Sequence, residues 1–233
     1  MADTLIRNLT SGGAAQDTDL FAICRDPSGT PLDRKLTLDA VRSRVLAPFT
    51  LPVNGDFSDL NLGTSTVTVR SSGAITFSAQ YNSGAWVARG RIKTAPSTPY
   101  EIVARLGLRA QYFDYQHAGL IAHANGGGLN MFGPVTTSGG LLLSVYNYTD
   151  VSTYGGSLVQ VTLPPGVDPA NVFLHLIDDG TDRKYGWSIE GWDPDWLLTE
   201  GRTTNFTADR VGWGAASWHA ANALASLFSW EQR

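Results

Sequence analysis

The sequence predicts an all-β fold in which two sheets pack face to face. From about residue 59 onward, short runs of alternating apolar and polar residues are separated by glycine-rich turns, a pattern typical of β-sandwiches and jelly rolls. The composition agrees, because 25 Gly, 11 Pro, 7 Trp, 8 Tyr and 9 Phe favour strands and turns over helices. A chain of 233 residues is long enough for one such domain and a small appendage.

Twelve strands are expected in this part of the chain, which suits two sheets of a sandwich. Each is a short run that ends at a Gly, Pro, Asn or Asp cluster. The predicted strands are residues 65–70, 74–79, 85–94, 100–110, 117–123, 128–132, 141–148, 157–163, 172–177, 184–190, 210–214 and 223–230.

Residues 1–46 differ in composition, with six acidic and six basic residues. We expect a short strand at 20–25, a turn at 26–29, and a strand edge that runs into a short helix at 36–45. Such a segment buries too little apolar surface to be stable alone. It is therefore expected to fold against a partner or a neighbouring subunit.

Residues 47–56 are expected to form a semi-extended linker, and the sandwich then occupies residues 57–233. The linker holds Pro48, Pro52 and an Asn-Gly turn signal. Each proline fixes its own φ and disfavours helix in the residue before it.

The C-terminal part of the chain follows a distinctive order of strands and turns. A strand at residues 171–177 ends in Asp-Asp-Gly, and Ser-Ile-Glu-Gly-Trp at 188–192 enters a hairpin. Asp-Arg-Val-Gly-Trp at 209–213 and Leu-Phe-Ser-Trp-Glu at 227–231 supply two closing strands. This order resembles the concanavalin-like β-sandwiches of bacteriophage tail and fibre proteins. The resemblance implies a concanavalin-like jelly roll that binds surfaces and glycans.

A second resemblance lies at the N-terminus. Gly-Ala-Ala-Gln-Asp-Thr-Asp-Leu-Phe-Ala-Ile at residues 13–23, a turn, and Leu-Thr-Leu-Asp-Ala-Val at 36–41 resemble the anchor that docks phage tail and head fibres onto the particle. It implies a homotrimeric virion protein, assembled in the host cytoplasm, whose residues 1–46 contact other virion proteins. The alternative is an irregular cap over one end of the sandwich.

Net charge and cysteine content limit the possible partners and indicate the compartment in which the chain folds. The net charge of −4 argues against nucleic acid, because phosphate binding needs a basic field. The single cysteine, Cys24, excludes an intramolecular disulfide and fits folding in a reducing cytosol. We expect no secretory signal, no membrane insertion and no cofactor.

No catalytic pattern is expected, so the sequence predicts a protein that is not an enzyme. Glycosidases of this fold need paired carboxylates about 5–5.5 Å apart, and no Glu-x-Asp-x-x-Glu run is present. A Gly-x-Ser-x-Gly elbow is absent, and the four histidines are scattered. The carboxylates of the turn at 178–182 suit either a calcium loop or, as we favour, local hydrogen bonds to main-chain amides.

Two loops and one further tryptophan are candidate glycan contacts. Aromatic faces cover the C–H patches of sugars while polar side chains bind hydroxyls. In the second loop Glu190 replaces the aspartate of the family's Ser-x-Asp-Gly-x-x-Trp pattern, and Trp192 directly follows the glycine. The resemblance implies that Trp196 is the family's buried packing tryptophan, displaced by an insertion, and Trp192 is then the expected exposed ring. The alternative for each aromatic is core packing or subunit contact, and Trp187, Trp213 and Trp230 are assigned to the core. The candidate contacts are Asn147, Tyr148 and Tyr154 in the first loop, Trp192, Asp193 and Trp196 in the second, and Trp218.

A basic stripe is predicted if the strands at 85–94 and 100–110 pair as a hairpin. Arg89 and Arg91 then share a face, and Arg89 lies opposite Arg105 across the hairpin. Because like charges in that position repel, an acidic polysaccharide is one partner that would relieve them. The alternative is that these side chains simply solvate an outer face.

Taken together, the sequence predicts a virion structural protein, a tail or head fibre, whose sandwich binds host surface polysaccharide. Two alternatives stay open. One is a decoration or baseplate-adaptor protein without receptor binding, and the other is a glycoside hydrolase of the same fold.

Overall fold

The computed structural model describes residues 20–23, 34–37, 50–82, 84–109, 115–138, 140–167, 172–218 and 221–233. The chain divides into two compact units, Met1–Ala47 and Pro48–Arg233. In the first unit, β1 (Leu20–Ile23) and β2 (Arg34–Thr37) form an antiparallel pair. The strand predicted at 20–25 is thus confirmed over residues 20–23. The rest of that strand, the predicted turn at 26–29 and the helix up to residue 45 lie outside the described residues.

The second unit begins with a short 3-10 turn, Asn54–Asp56, and continues with fourteen strands among its described residues. The strands are β3 (Ser58–Leu60), β4 (Thr66–Val69), β5 (Ile75–Ala79), β6 (Arg89–Thr94), β7 (Tyr100–Arg109), β8 (Gln116–His123), β9 (Leu129–Thr137), β10 (Gly140–Asp150), β11 (Thr153–Thr162), β12 (Phe173–Asp178), β13 (Asp182–Ser188), β14 (Asp195–Gly201), β15 (Arg210–Ser217) and β16 (Ala223–Gln232).

These strands form two antiparallel sheets of seven strands each, which confirms the predicted all-β sandwich. The first sheet has the order β11-β10-β9-β8-β15-β6-β3, and the second has the order β14-β13-β12-β7-β16-β5-β4. Two strands were not predicted: β3 is only three residues long, and β14 begins inside the expected second loop.

The main core lies between the sheets. Alternation along β5 buries Ile75 and Phe77 completely, and Phe77 meets Trp213 of the first sheet edge to face, with ring centroids 6.0 Å apart. Trp213, Trp187 and Trp230 all belong to this core, as predicted. Each fully buried side chain of this size contributes about 1.5–3 kcal/mol by leaving water.

A second apolar layer covers the outer face of the first sheet. All eight residues of β8 are buried, so this strand is covered on both faces. Ile121 and Met131 pack on the outer side, together with Trp86 and Ala88. The predicted strand at 85–94 is therefore wrong in its first half, because residues 85–88 leave the sheet and Trp86 packs over it.

The predicted hairpin between the strands at 85–94 and 100–110 is also wrong. β6 pairs with β15 and β3 in the first sheet, whereas β7 pairs with β12 and β16 in the second. β7 turns its apolar face to the core between the sheets, whereas Ile92 of β6 packs into the apolar layer on the outer face of the first sheet. Alternation reveals which face is buried, and it does not reveal the neighbouring strand.

Within the described residues, no helix has the length and hydropathy needed to span a membrane.

Candidate functional site

A pocket of about 270 Å³ opens beside the connection between β13 and β14. It lies at the end of the second sheet where β13 finishes and β14 begins. Its lining residues are Trp187, Ser188, Ile189, Glu190, Trp192, Asp193 and Asp195.

The connection is shaped by two residues with left-handed backbone. Gly191 has φ 79° and Asp193 has φ 46°, conformations that Gly and Asp tolerate better than most residues. The Gly191 N–H donates to Ser188 Oγ at 2.9 Å, which ties the loop to the end of β13. These features turn the chain sharply and leave a concave surface over the strand ends.

The tryptophan rings of this loop are held in different ways. Trp192 is half-buried, and the Arg233 guanidinium lies 4.2 Å from its ring centroid. Arg233 is itself held by Glu231, at 2.9 Å, and by Glu101, at 3.6 Å. Trp196 packs against Gly186, where a Cβ would lie 2.7 Å from its ring, yet it remains 43% exposed. Trp192 is therefore a fixed, half-buried ring at the pocket, and Trp196 is the more exposed of the two, which reverses the exposure expected from the sequence.

The pocket wall carries negative charge. The side chains of Glu190, Asp193 and Asp195 are exposed and line the pocket with the Trp192 ring. Carboxylates accept hydrogen bonds only, so this wall suits a ligand with many O–H or N–H donors. No group of His, Cys, Asp or Glu side chains within the described part of the chain is arranged to hold a metal ion.

Ser188, which lines the pocket, belongs to a chain of three hydrogen-bonded polar side chains. Ser188 Oγ is 2.8 Å from His175 Nε2, and His175 Nδ1 is 2.9 Å from Glu101 Oε1. The hydrogen bond from His175 lowers the pKa of Glu101, and this effect outweighs the burial that opposes it. Glu101 is therefore ionised at neutral pH. The sequence offered no signal for this trio, because it depends on the pairing of three strands.

The aromatic residues of the predicted first loop join the apolar layer on the first sheet. Tyr154 is half-buried, with its ring centroid 6.1 Å from that of Trp86, and Trp218 lies 6.2 Å from the same ring. Tyr148 is fully buried, so the structure does not place its ring at the surface. Tyr148, Tyr154 and Trp218 thus lie in one aromatic cluster with Trp86, which was not among the predicted contacts.

Asn147 points into a buried polar network between the sheets. Its amide nitrogen donates to Asn130 Oδ1 at 3.0 Å, and Asn130 donates to Tyr185 Oη and to Glu200 at 2.9 and 2.8 Å. Glu200 also pairs with buried Arg183 at 2.8 Å. Asn147 therefore helps to satisfy interior polar groups, and it does not face a surface ligand.

The two predicted loops do not form one site. The predicted first loop is part of the β10–β11 hairpin in the first sheet, with Asn147 and Tyr148 on β10 and Tyr154 on β11. The second loop follows β13 in the second sheet. Of the two loops, only the second lines the pocket described above, through Trp192 and Asp193.

The basic residues of the predicted stripe lie on two different sheets, and each of them contacts other groups of the chain. Arg89 is 8% exposed and donates to the carbonyls of Asn61 and Gln80 at 2.7 and 3.2 Å. Arg91 pairs with the Asp59 carboxylate. Arg105 lies on the other sheet, where its guanidinium is 5.7 Å from the Phe228 ring centroid. The predicted register of Arg89 against Arg105 is wrong, since their strands belong to different sheets.

The turn at 178–182 shows the hydrogen bonds that its turn interpretation predicts. Asp179 Oδ1 accepts from the N–H groups of Thr181 and Asp182 at 2.9 and 2.7 Å. These bonds, with Lys184 nearby, lower the pKa of Asp179 to about 2. Asp178 accepts from Gly180 and pairs with Arg202 at 3.0 Å.

Three solved structures with a similar fold show what the chain resembles. A functionally unknown protein from Saccharomyces cerevisiae is 14% identical, with a TM-score of 0.59, over 78% of this chain and 98% of that chain. A bifunctional GH43-CE protein of Bacteroides eggerthii is 12% identical with a TM-score of 0.55, over 78% and 22%. A GH43 protein of Bacillus licheniformis is 13% identical with a TM-score of 0.53, over 87% and 41%.

The chain thus spans less than half of either GH43 chain. No protein-family model matches the sequence, and no curated protein does. At these identities the likeness concerns the fold, and the chain shares the two-sheet β-sandwich of these proteins.

Proposed function

We propose that the sandwich binds a carbohydrate in the pocket beside the β13–β14 loop. The observation that carries this proposal is the pairing of a fixed Trp192 ring with three exposed carboxylates, Glu190, Asp193 and Asp195. The ring suits the C–H face of a sugar, and the carboxylates suit its hydroxyl groups. Because this wall is acidic, the ligand we propose is a neutral or amino sugar, in place of the acidic polysaccharide suggested by the sequence.

We further propose that the protein is a virion component, a tail or head fibre, that displays this pocket to host surface glycans. The support is the resemblance of residues 1–46 and 171–231 to phage fibre proteins.

A homotrimer is part of the proposal. Leu51 and Val53 are 55% and 59% exposed and line a second cavity of about 270 Å³ with Trp230, which gives an apolar surface for another copy. Light scattering on the full chain tests this, with three times the chain mass of 25.0 kDa expected.

The first experiment compares binding of the wild type and Trp192→Ala to intact candidate host cells and to a glycan array. Loss of the ring is expected to weaken binding about tenfold or more, since burying an aromatic face is worth about 1.5 kcal/mol or more. Tyr81→Ala is the matched control, because Tyr81 is an aromatic residue that is 42% exposed outside the pocket.

The results separate the candidate functions. Binding that is retained by Tyr81→Ala and lost by Trp192→Ala, with unchanged circular dichroism, supports an adhesin with its site in this pocket. If neither the wild type nor the variants bind any glycan or cell, the decoration or baseplate-adaptor alternative replaces this proposal. Release of reducing sugar from host polysaccharide by the wild type would support the glycosidase alternative.

A further inference from the structure

Glu101, His175 and Ser188 form a diagonal line on the outer face of the second sheet. His175 on β12 lies opposite Val103 and Gly186 on its two neighbouring strands. Glu101 lies two residues further along β7, opposite Ile177. Ser188 lies two residues further along β13 in the other direction, opposite Phe173. This register brings a carboxylate to one ring nitrogen at 2.9 Å and a hydroxyl to the other at 2.8 Å.

The hydrogen bonds define the direction of proton donation. The ionised Glu101 can only accept, so His175 Nδ1 carries a proton and donates it to Glu101. In the neutral ring His175 Nε2 is then the acceptor, and the Ser188 hydroxyl donates to it. The Gly191 N–H already donates to Ser188 Oγ at 2.9 Å, which holds the oxygen in place and leaves its proton directed at His175. A nucleophile, a base and an orienting carboxylate in this order are the parts of a serine hydrolase relay.

We propose that Ser188 is a nucleophile that removes a small acyl group, such as acetyl, from a sugar bound in the adjacent pocket. The sugar part of this substrate rests on the proposed function, whereas the relay rests on its own geometry. Ser188 lines the pocket, so a bound ester can approach it. Ser188 is only 7% exposed, so only small acyl groups can reach it. The sequence predicts a protein that is not an enzyme, and this proposal departs from that prediction.

The reaction is an acyl transfer to water in two steps. Ser188 Oγ bonds to the ester carbonyl carbon while His175 Nε2 takes its proton, and Glu101 stabilises the imidazolium that forms. The bond from the carbonyl carbon to the sugar oxygen then breaks, and His175 returns the proton to that oxygen. Water attacks the acyl-serine with His175 again as base, which releases the carboxylic acid and restores Ser188.

The test uses the full chain, a small fluorophosphonate and p-nitrophenyl acetate. Peptide mass mapping is expected to find one phosphonyl group, on Ser188. Ser188→Ala is expected to abolish both labelling and turnover, and Glu101→Gln to lower turnover by roughly 10⁴-fold, as loss of the carboxylate does in serine proteases. Ser152→Ala, in an exposed turn, is the matched control and is expected to retain wild-type rates.

Glycan binding, measured in parallel on wild type and Ser188→Ala, separates this proposal from the one before it. In one outcome the wild type binds glycan, but Ser188 is not labelled and no ester is hydrolysed above the Ser188→Ala rate. The proposal that Ser188 is a nucleophile is then refuted, and the three residues only stabilise the loop. If Ser188 is labelled and turns over ester without any glycan binding, the relay is supported and its assignment to a sugar ester is refuted.

Discussion

Acid is expected to destabilise the sandwich through His117, a buried residue of β8. Its side chain is fully buried, and neither ring nitrogen makes a hydrogen bond to any described residue. The ring instead packs 4.6 Å from that of Tyr146, measured between centroids. Burial lowers the pKa of His117 to about 3, although the nearby carbonyls of Gly133 and Ser144 favour its protonated form. His117 is therefore neutral in the folded protein under all but strongly acidic conditions.

The size of the effect follows from proton linkage. In the unfolded chain a histidine binds a proton below pH ~6.5, whereas folded His117 stays neutral until the pH approaches 3. Between these values the unfolded state holds more protons, so the free energy of unfolding falls as the pH falls. Each pH unit costs about 1.4 kcal/mol, and a drop to about pH 5 therefore costs about 2 kcal/mol through this residue.

Urea unfolding followed by tryptophan fluorescence, at about pH 7.5 and about pH 5, measures this loss. His117→Phe keeps a flat apolar ring and removes the titration, and His117→Leu serves the same purpose if the larger ring strains the core. The wild type is expected to lose about 2 kcal/mol more than either variant. Other acid-sensitive groups are present in all three proteins and cancel in the comparison. Equal losses in wild type and variants would refute the argument.

Three further changes are expected to lower stability in thermal unfolding. Glu200→Ala leaves Arg183 buried without its carboxylate partner and is expected to cost about 3–5 kcal/mol; an unchanged Tm would contradict the buried pairing. Gly214→Ala places a Cβ against the carbonyl oxygen of Arg89 and is expected to cost about 1–3 kcal/mol; wild-type stability would show that the two strands separate easily. Trp213→Ala, at a fully buried ring, is expected to cost about 3–5 kcal/mol, and a loss below 1 kcal/mol would mean that the core collapses to fill the cavity.

The local pattern of the sequence determined the fold class and most of the strands. Along β5, apolar residues at every second position are enough to predict a strand with one buried face, and Ile75 and Phe77 are buried as that pattern requires. The turn at 178–182 was likewise predictable, because Asp side chains bind main-chain N–H groups within two or three residues of their own position. These properties depend only on neighbours in the chain.

Strand partners and the pocket were decided by the tertiary structure. β6 and β7 are consecutive in the chain but lie in different sheets, so the stripe expected from Arg89 and Arg105 does not form. Alternation specifies a face, whereas pairing depends on which strands pack best over the whole core. For the same reason, the line from Glu101 through His175 to Ser188 exists only because β7, which is far away in sequence, pairs in this register with the β12–β13 hairpin.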